Sequence, residues 1–164
     1  MPWHQYRRCE QSEAIHLSPG GAVDCFASDR KAAVGDFDVS RRLNISSGYP
    51  FEDTYGYARA VRVGEHVFVS GTTARGSHLS GDAYGQTASI IDVIADALQR
   101  AGAGLHHVVR TVVYVVDMAD LEAVARAHRE AFGTVRPAST LVQVAALTPA
   151  TARVEIEVTA IVQD

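Results

Sequence analysis

Two glutamates near the C-terminus are the residues of this 164-residue sequence best suited to acid–base chemistry. Glu155 and Glu157 alternate with apolar residues in the run 153–161. Because a β-strand repeats every two residues, both carboxylates lie on the face opposite the apolar side chains. That face is either exposed to water or part of a site. Alternating acidic residues on a terminal strand are usually solvated, so the two glutamates alone do not decide between these alternatives.

Other polar residues offer weaker chemistry. Arg136 precedes Pro137 and is either an anion-binding cation beside a rigid turn or an ordinary loop arginine. Ser70 ends a strand, but a hydroxyl without a neighbouring base is not a nucleophile. The histidines from position 66 onward have no metal-ligand spacing relative to Cys, Asp or Glu, so we expect no metal. We also expect no cofactor, because the glycines at 102–104 follow a helix instead of a strand and no Walker loop is present.

The composition, 47% hydrophobic and 21% charged, is typical of a soluble globular protein. A formal net charge of −4 argues against a nucleic-acid partner, which requires a basic surface. No apolar run approaches the roughly 18 residues that a membrane span needs. The N-terminus has no apolar segment of the secretory type, and Cys9 and Cys25 supply no disulfide framework for the core. We therefore expect a cytoplasmic protein that does not bind membranes.

Residues 1–43 differ from the rest of the chain. They contain both cysteines, a breaker cluster at 19–21 and no sustained periodicity. We predict a weakly packed N-terminal arm here, followed by one folded domain over residues 44–164. A start-site artefact is the alternative explanation of the arm, and mass spectrometry of the native N-terminus would distinguish the two.

The remaining pattern predicts an α+β domain with the element order ββαβαββ. The expected elements are strands at 59–63 and 66–71, a helix over about 83–101, a strand at 107–116, a helix from Asp117 to about Phe132, and a hairpin of two strands within 136–161. Gly64 opens a two-residue turn of the type that joins hairpin strands. Asp82 is placed to cap the first helix, and Gly102 to end it.

Alternation along the predicted strands separates two faces of the sheet. The face expected to be apolar carries Val61, Val63, Val67, Val69, Val109, Val113, Val115, Val142, Val144, Val154, Ile156 and Val158. The opposite face carries Arg62, Phe68, Ser70, Arg110, Tyr114, Leu141, Gln143, Glu155 and Glu157. Two amphipathic helices suffice to cover the first face. The second face carries too many polar and charged residues for a core, and its apolar patches are too large for a face exposed only to water. We therefore predict a homo-oligomer.

Several short motifs together resemble the RidA (YjgF) family of small trimeric proteins. The matching pieces are 64–71 (GEHVFVSG), Gln86-Thr87, 101–105 (AGAGL), 108–109, 115–120 (VVDMAD), Phe132, Pro137-Ala138 and 154–157 (VEIE). No single motif is specific for the family, but the order and spacing of all the motifs together are specific. The resemblance extends from about residue 45 to 162, about three-quarters of the chain.

This resemblance implies a chorismate-mutase-like α+β fold, with a sheet that carries two helices on one face. It also implies a homotrimer in which three sheets form a central barrel and small-molecule ligands bind in the clefts between subunits. The best-known members of the family hydrolyse reactive enamines and imines, such as 2-aminoacrylate, to a keto acid and ammonia. Such chemistry needs little beyond a positioned water and acid–base help, because an imine carbon is already electrophilic.

The resemblance further implies roles for individual residues. Glu155 matches the site glutamate of the family and is expected to orient the water. Ser70 matches a site serine, and Tyr57 matches a site tyrosine that closes the cleft. Ser70 and Thr72 are expected to donate hydrogen bonds. Glu155 and Ser70 are thus the candidate catalytic residues, and Tyr57, Thr72, Arg136 and Ser139 are the candidate substrate-binding residues.

The carboxylate-binding arginine of the family's Pro-Ala-Arg-Ser motif has no counterpart. The corresponding run is 137–140 (PAST), so Ser139 stands at the arginine position. Loss of a bidentate Arg–carboxylate contact costs roughly 2–5 kcal/mol in binding. Arg136 lies three residues earlier, about 10 Å along an extended chain, and on the opposite face. Whether Arg136 or Arg110 replaces the missing anchor stays open.

The sequence therefore leaves two alternative functions. The first is a RidA-like hydrolase of a small imine or enamine that bears no carboxylate at the usual place, since branches of the family without the arginine generally lack imine deaminase activity. The second is a trimer whose clefts bind a small metabolite without turnover.

Overall fold

The structure, a computed structural model, describes residues 42–163. All but the last two residues of the predicted N-terminal arm lie outside the described residues. The regular elements are β1 (Leu43–Ile45), α1 (Phe51–Tyr55), β2 (Ala60–Val63), β3 (His66–Thr73), α2 (Ala83–Arg100), β4 (Val108–Val115), α3 (Leu121–Phe132), β5 (Ala138–Gln143) and β6 (Val154–Ile161). Short 3₁₀ helices lie at Gly76–Ser80, Leu105–His107 and Met118–Asp120.

One six-stranded sheet, in the order β1-β2-β3-β6-β4-β5, is the framework of the described residues. The buried side chains of α2 and α3 join one hydrophobic cluster with alternate residues of the strands. Both helices therefore cover the same face, and the predicted α+β class is confirmed. The order ββαβαββ holds from β2 to β6, whereas β1 and α1 were not predicted.

The helices follow the sequence pattern to different extents. The apolar stripe that the sequence pattern places on one face of the first helix is buried throughout α2 and the residue after it: Ile90, Ile91, Ile94, Ala97, Leu98 and Ala101. The Asp82 carboxylate caps this helix by accepting a hydrogen bond from the Gly85 backbone N–H at 2.8 Å. In α3 the sequence pattern places Leu121, Val124, Ala125, His128 and Phe132 inward. Val124 and Phe132 are buried and His128 is half-buried, but Leu121 and Ala125 are exposed. Met118–Asp120 form a 3₁₀ turn just before α3, which changes the rotational phase of its first residues.

The predicted C-terminal hairpin is wrong, because β5 and β6 are not neighbours. β6 lies between β3 and β4 and is antiparallel to both. β5 instead pairs in parallel with β4 at the edge of the sheet. The β4–α3–β5 segment is a crossover that returns the chain in the same direction, and this connection gives a parallel pair. The fully alternating β6 thus occupies an interior position, with its apolar side chains in the core as predicted.

The faces assigned to β2 are also reversed. Ala60 pairs with Val69 and Arg62 pairs with Val67, so Ala60 and Arg62 share the face that the helices cover. Val63 lies on the open face and is exposed. The Arg62 guanidinium donates to the Ala101 carbonyl at 2.7 Å, at the C-terminal end of α2. The aliphatic part of this arginine can therefore lie along the core while its charged end satisfies a helix terminus.

In β4 and β5, a bulge and the parallel register change the predicted faces. A register shift between Val108 and Arg110 leaves Val109 42% exposed, although Val113 and Val115 are buried as expected. In β5, Leu141 pairs with Val113 and therefore faces the helices, which places Val142 on the open face. Ser139 pairs with Thr111 and consequently also lies on the helix-covered side, at the edge of the sheet.

Candidate functional site

A bulge in β3 lies beside the candidate catalytic glutamate on the open face of the sheet. Pairing with β6 is interrupted between Val69 and Thr72 and resumes where Thr73 faces Glu155. The half-buried Glu155 side chain bends over Gly71, where a Cβ atom would overlap the Oε1 atom of the carboxylate. A residue with a side chain at position 71 would thus displace the glutamate, and glycine permits the close approach.

The environment of Glu155 suits proton transfer. Burial raises the pKa of this carboxyl above its ordinary value, the positive charge of Arg59 lowers it in part, and the negative charge of Glu157 raises it further. No group among residues 42–163 donates a hydrogen bond to its carboxylate. Glu155 is therefore closer to its protonation midpoint at neutral pH than an exposed glutamate, and its oxygens are free for a ligand or water.

Arg59 organises the backbone beneath Glu155. This residue is only 2% exposed, and its Nη1 donates to the carbonyls of Ser70 and Gly71 at 3.1 and 2.8 Å. Nη1 also lies 2.7 Å from the Thr72 hydroxyl oxygen. These contacts satisfy groups that the bulge removes from the strand ladder. Arg59 Nε is buried and has no partner among the described residues.

Sequence reasoning did not select Arg59, which it treated as the first residue of a strand. Burial lowers the pKa of this guanidinium, and Tyr57 offsets part of that effect. The signal in the sequence is a single arginine flanked by Ala58 and Ala60, two residues after the site tyrosine. Small neighbours of this kind allow a charged side chain to be covered, although they do not require it.

Tyr57 and the loop before it enclose this arginine. The Tyr57 hydroxyl accepts a hydrogen bond from Arg59 Nη2 at 2.8 Å, and the guanidinium lies 5.3 Å from the centre of the ring. Tyr57 follows α1, which ends at Gly56 in the left-handed conformation. The predicted site tyrosine is therefore adjacent to the bulge and is oriented by the buried charge.

Glu52 stabilises the loop that carries Tyr57. Its buried carboxylate accepts hydrogen bonds from the Ser46 hydroxyl at 2.7 Å, from the Ser47 backbone N–H at 3.0 Å and from the Ser47 hydroxyl. Burial alone would raise the pKa of Glu52, but these hydrogen bonds and the charge of Arg59 bring it below its ordinary value. Arg75 donates to the Ser47 hydroxyl at 3.0 Å and completes this polar cluster.

Ser70 and Thr72 are both predicted to contact a ligand. In the structure, both hydroxyls instead donate hydrogen bonds to backbone carbonyls of the protein. The Ser70 hydroxyl donates to the Ala58 carbonyl at 2.8 Å. The Thr72 hydroxyl donates to the Ser70 carbonyl at 2.8 Å, and Thr72 is 1% exposed. In this arrangement both hydroxyls shape the bulge, and Thr72 has almost no surface to offer to a ligand within the subunit.

Ser139 lies in a different place from Glu155. Its hydroxyl forms a hydrogen bond of 2.8 Å with Thr111, whose own hydroxyl lies 3.0 Å from Nε2 of His128. Ser139 is exposed at the edge of the sheet, whereas Thr111 is fully buried. Within the chain these residues occupy the helix-covered side of the sheet and Glu155 the open side. The structure therefore does not bring the two predicted parts of the site together in a single chain.

Arg136 and Arg110, the two arginines that could replace the missing carboxylate anchor, lie in different parts of the structure. Arg136 is exposed, has a positive φ of 52°, and its Nε donates to the Gly133 carbonyl at 3.4 Å. Arg110 is nearer to the acidic residues of the open face. Burial, Glu157 and Glu155 raise the pKa of Tyr114, and Arg110 lowers it in part. Tyr114 lies directly opposite Glu155 on β4.

Within residues 42–163, no group of three or more His, Cys, Asp or Glu side chains is arranged to hold a metal ion. The polar groups around the bulge are instead a carboxylate, a phenol and backbone groups. Among the described helices, none is long and apolar enough to cross a bilayer.

Comparisons with known proteins agree on one family. A family model described as Endoribonuclease L-PSP matches residues 51–162. The Streptomyces coelicolor protein SCO2049 is 40% identical over 119 residues, 71% of this chain and 89% of that protein. The human 2-iminobutanoate/2-iminopropanoate deaminase is 31% identical over 109 residues, 64% of this chain and 79% of that protein.

A similar solved structure is that of Rv2704 from Mycobacterium tuberculosis, described as a member of the YjgF/YER057c/UK114 family. Its sequence is 43% identical, the TM-score is 0.70, and the match covers 74% of this chain and 100% of that chain. A putative endoribonuclease from Thermotoga maritima, TM0215, matches with a TM-score of 0.63 and 28% identity over 74% of this chain and 93% of that chain.

Proposed function

The chain belongs to the RidA (YjgF) family, and on that basis we propose that it hydrolyses a small reactive imine or enamine at a cleft built around Glu155. The observation that carries the proposal is the desolvated Glu155 carboxyl above Gly71, with its oxygens free of donors among the described residues. The name of the human relative, 2-iminobutanoate/2-iminopropanoate deaminase, supports imine chemistry.

The reaction requires one base and one acid, and Glu155 supplies both in turn. Its carboxylate accepts a proton from a water molecule as the water oxygen attacks the imine carbon, and it passes this proton to the nitrogen, which gives a neutral carbinolamine. The regenerated carboxylate then accepts the proton of the carbinolamine hydroxyl and passes it to the nitrogen as the carbon–nitrogen bond breaks and the carbonyl forms. The products are a carbonyl compound and ammonia, so the atoms of imine and water balance. A raised pKa favours this exchange near neutral pH.

Arg59 positions the reacting groups from below. It holds the Ser70 and Gly71 carbonyls in place and partly offsets the desolvation of Glu155. Its role is therefore to fix the bulge on which the glutamate lies and to limit how far the pKa of Glu155 rises. The Tyr57 hydroxyl accepts a hydrogen bond from Arg59, which holds Tyr57 beside the bulge.

A homotrimer completes the cleft in this proposal. The open face exposes apolar side chains, including Phe68 at 48% and Val142 at 40%, which favours burial against other copies. Packing of three open faces would place the β5 edge of one subunit beside Glu155 of its neighbour. Ser139 and Glu155 would then contribute to one site from two chains. Analytical ultracentrifugation should give a trimer, and a monomer would contradict this assembly.

Ser139 distinguishes the proposed substrate from an imino acid held by an arginine. A serine at that position supplies no positive charge for a carboxylate, so the substrate should carry a different group there. The same residue keeps the alternative function open, in which the trimer binds a small metabolite without turnover.

The direct test is to supply enzymatically generated 2-aminoacrylate or 2-iminobutyrate and to measure keto-acid formation against buffer. We expect slow acceleration by the wild type, loss of it in Glu155→Gln, and retention in Glu157→Gln. Glu157 is a matched control because it lies on the same strand and face. Its removal should lower the pKa of Glu155 slightly, since its charge raises that pKa.

The outcomes separate the two functions. No acceleration by the wild type for either compound would remove the deaminase role and leave the binding function. Activity that survives in Glu155→Gln would show that Glu155 is not the catalytic carboxyl.

A further inference from the structure

Three side chains from three elements form a hydrogen-bonded row that the proposed reaction does not use. His128 on α3, Thr111 on β4 and Ser139 on β5 are joined through the Thr111 hydroxyl, at 3.0 Å to His128 Nε2 and 2.8 Å to Ser139 Oγ. Thr111 is 0% exposed and His128 is half-buried, whereas Ser139 is exposed. The row therefore leads from the interior of the subunit to the edge of the sheet.

The Thr111 hydroxyl has one proton and two partners, so the row has two arrangements. In the first, His128 Nε2–H donates to Thr111 and Thr111 donates to Ser139, which leaves the Ser139 proton free for a ligand acceptor. In the second, Ser139 donates to Thr111 and Thr111 donates to an unprotonated Nε2, which leaves the Ser139 lone pairs free for a ligand donor. A neutral imidazole permits both, because either ring nitrogen can carry the proton.

The surroundings of His128 keep this row uncharged. Burial lowers the pKa of the imidazole, and no charged group contributes to that shift. The ring packs against Phe132 at 4.8 Å between centroids, which fixes its position on α3. Ser139 thus presents a neutral hydroxyl that can either donate or accept, with a buried partner that adjusts to either role.

We propose that Ser139, supported by Thr111 and His128, recognises a neutral hydrogen-bonding group of the ligand, such as a carboxamide, in preference to a carboxylate. An amide offers both a donor and an acceptor, so either arrangement of the row satisfies it. A carboxylate only accepts, restricts the row to one arrangement, and meets no cation there. Thr111 and His128 are positioning residues that act through Ser139. The proposal deepens the proposed function, because the ligand must also reach Glu155 of a neighbouring subunit.

The test compares two ligands of the same shape on the full-length protein, 2-oxobutanamide and 2-oxobutanoate, by calorimetry at neutral pH. We expect the amide to bind at least about 10-fold more tightly in the wild type. Ser139→Ala and Thr111→Val should weaken the amide by about 3- to 10-fold, the effect of one neutral hydrogen bond, and leave the carboxylate unchanged.

Conservative and matched variants separate recognition from stability. Thr111→Ser and His128→Gln keep a hydrogen-bonding partner and should keep the amide preference, whereas His128→Leu should lose it. Thr87→Val removes another fully buried threonine hydroxyl, on α2, and should leave the preference unchanged. Global stability is measured for each variant, and a structural effect would not alter the ratio of the two affinities.

Several results would overturn the inference: equal binding of both ligands, no binding of the amide, or a preference that persists in Ser139→Ala and Thr111→Val. Its failure is distinguishable from failure of the proposed function. Selective amide binding without imine turnover would remove only the reaction. Turnover that depends on Glu155, with an affinity ratio that Ser139→Ala does not alter, would remove only this inference.

Discussion

The Glu155 region and the Ser139 region use opposite means to place polar groups on the same sheet. Around Glu155, a buried arginine and two glutamates, Glu52 and Glu155, are partly removed from water, and a dense set of hydrogen bonds holds the bulge. Around Ser139, three neutral side chains form a single row at an edge strand. The first region maintains charge at a considerable energetic cost, whereas the second offers adaptable hydrogen bonding at little cost.

This difference fits the proposal that the Glu155 region performs the chemistry and the Ser139 region recognises the ligand. A desolvated carboxyl has a shifted pKa, and such a shift is useful when a proton moves. A neutral hydroxyl contributes little to bond breaking but discriminates among ligand groups through their donors and acceptors. Substitutions in each region can show whether the two differ in this way.

The largest expected effect is on stability, in Arg59→Met. Loss of the guanidinium leaves the Ser70 and Gly71 carbonyls without their donor, and each buried unsatisfied group costs about 1–3 kcal/mol. We expect a loss of about 3–5 kcal/mol in the free energy of unfolding by urea denaturation, whereas Ser139→Ala should change it by less than about 0.5 kcal/mol. Similar losses in the two variants would contradict the contrast between the regions.

Ser139→Arg should convert the neutral region into a charged one. A bidentate contact to a carboxylate is worth roughly 2–5 kcal/mol, so kcat/KM for 2-iminobutyrate should rise by about 30-fold or more. Thr111 retains His128 as a partner, so the substitution leaves no orphaned hydroxyl. Ser139→Lys is the matched control and should give a smaller gain, because lysine cannot form the bidentate contact. No gain from arginine would show that Ser139 does not face the ligand.

Gly71→Ala should separate activity from stability in the Glu155 region. The added Cβ would overlap Glu155 Oε1, and the flexible glutamate would move aside. We expect imine hydrolysis to fall about 100-fold, the size of effect that a displacement of about 1 Å produces. The unfolding free energy should change little, and Gly85→Ala on α2 should retain activity. Full activity in Gly71→Ala would mean that the observed position of Glu155 is not the reactive one.

Glu155→Gln should increase stability at neutral pH. Burial raises the pKa of Glu155 above its ordinary value of 4.5, so the ionised form opposes folding. Wild-type stability should fall as the pH rises from 4.5 through the folded-state pKa, and the variant should lack this fall. Urea denaturation between about pH 4 and pH 8, with Glu157→Gln beside it, measures the difference. A variant less stable than the wild type near neutrality would argue against a desolvated carboxylate.

The smallest effect is expected for His128 and has the opposite dependence on pH. Burial lowers the pKa of His128 below 6.5, so the folded state binds fewer protons than the unfolded state. Stability should be fully present above 6.5 and should decrease as the pH falls through the folded-state pKa. His128→Gln should remove this decrease. An unchanged pH profile in that variant would show that His128 is accessible to protons in the folded protein.

The fold was largely predictable because local and global signals agree in its central elements. β6 alternates without exception, α2 has a continuous apolar stripe with Asp82 as its cap, and Gly64 opens a two-residue turn. Each of these features has only one arrangement that buries its apolar side chains. The position of Glu155 on the face opposite the core follows directly from the period of its strand.

The partners of the strands were less predictable. Val61-Arg62-Val63 alternates equally well in either orientation, so only the pairing of Arg62 with Val67 decides which residues face the helices. β5 was placed in a hairpin with β6 because they are consecutive, but α3 returns the chain parallel to β4. An error of one residue in register reverses a whole strand, which is why Leu141 and Val142 were exchanged.

The sequence by itself determined the fold class, the core of α2 and β6, the family, and the outward position of Glu155, because each depends on periodicity or on motif order along the chain. Only the tertiary structure decided that Arg59 is buried beneath Gly71 and that Ser139 joins Thr111 and His128. These contacts connect residues 12 to 28 positions apart in the chain, through a bulge and a parallel register. Strand pairing brings these residues into contact, and no local pattern in the sequence encodes that pairing.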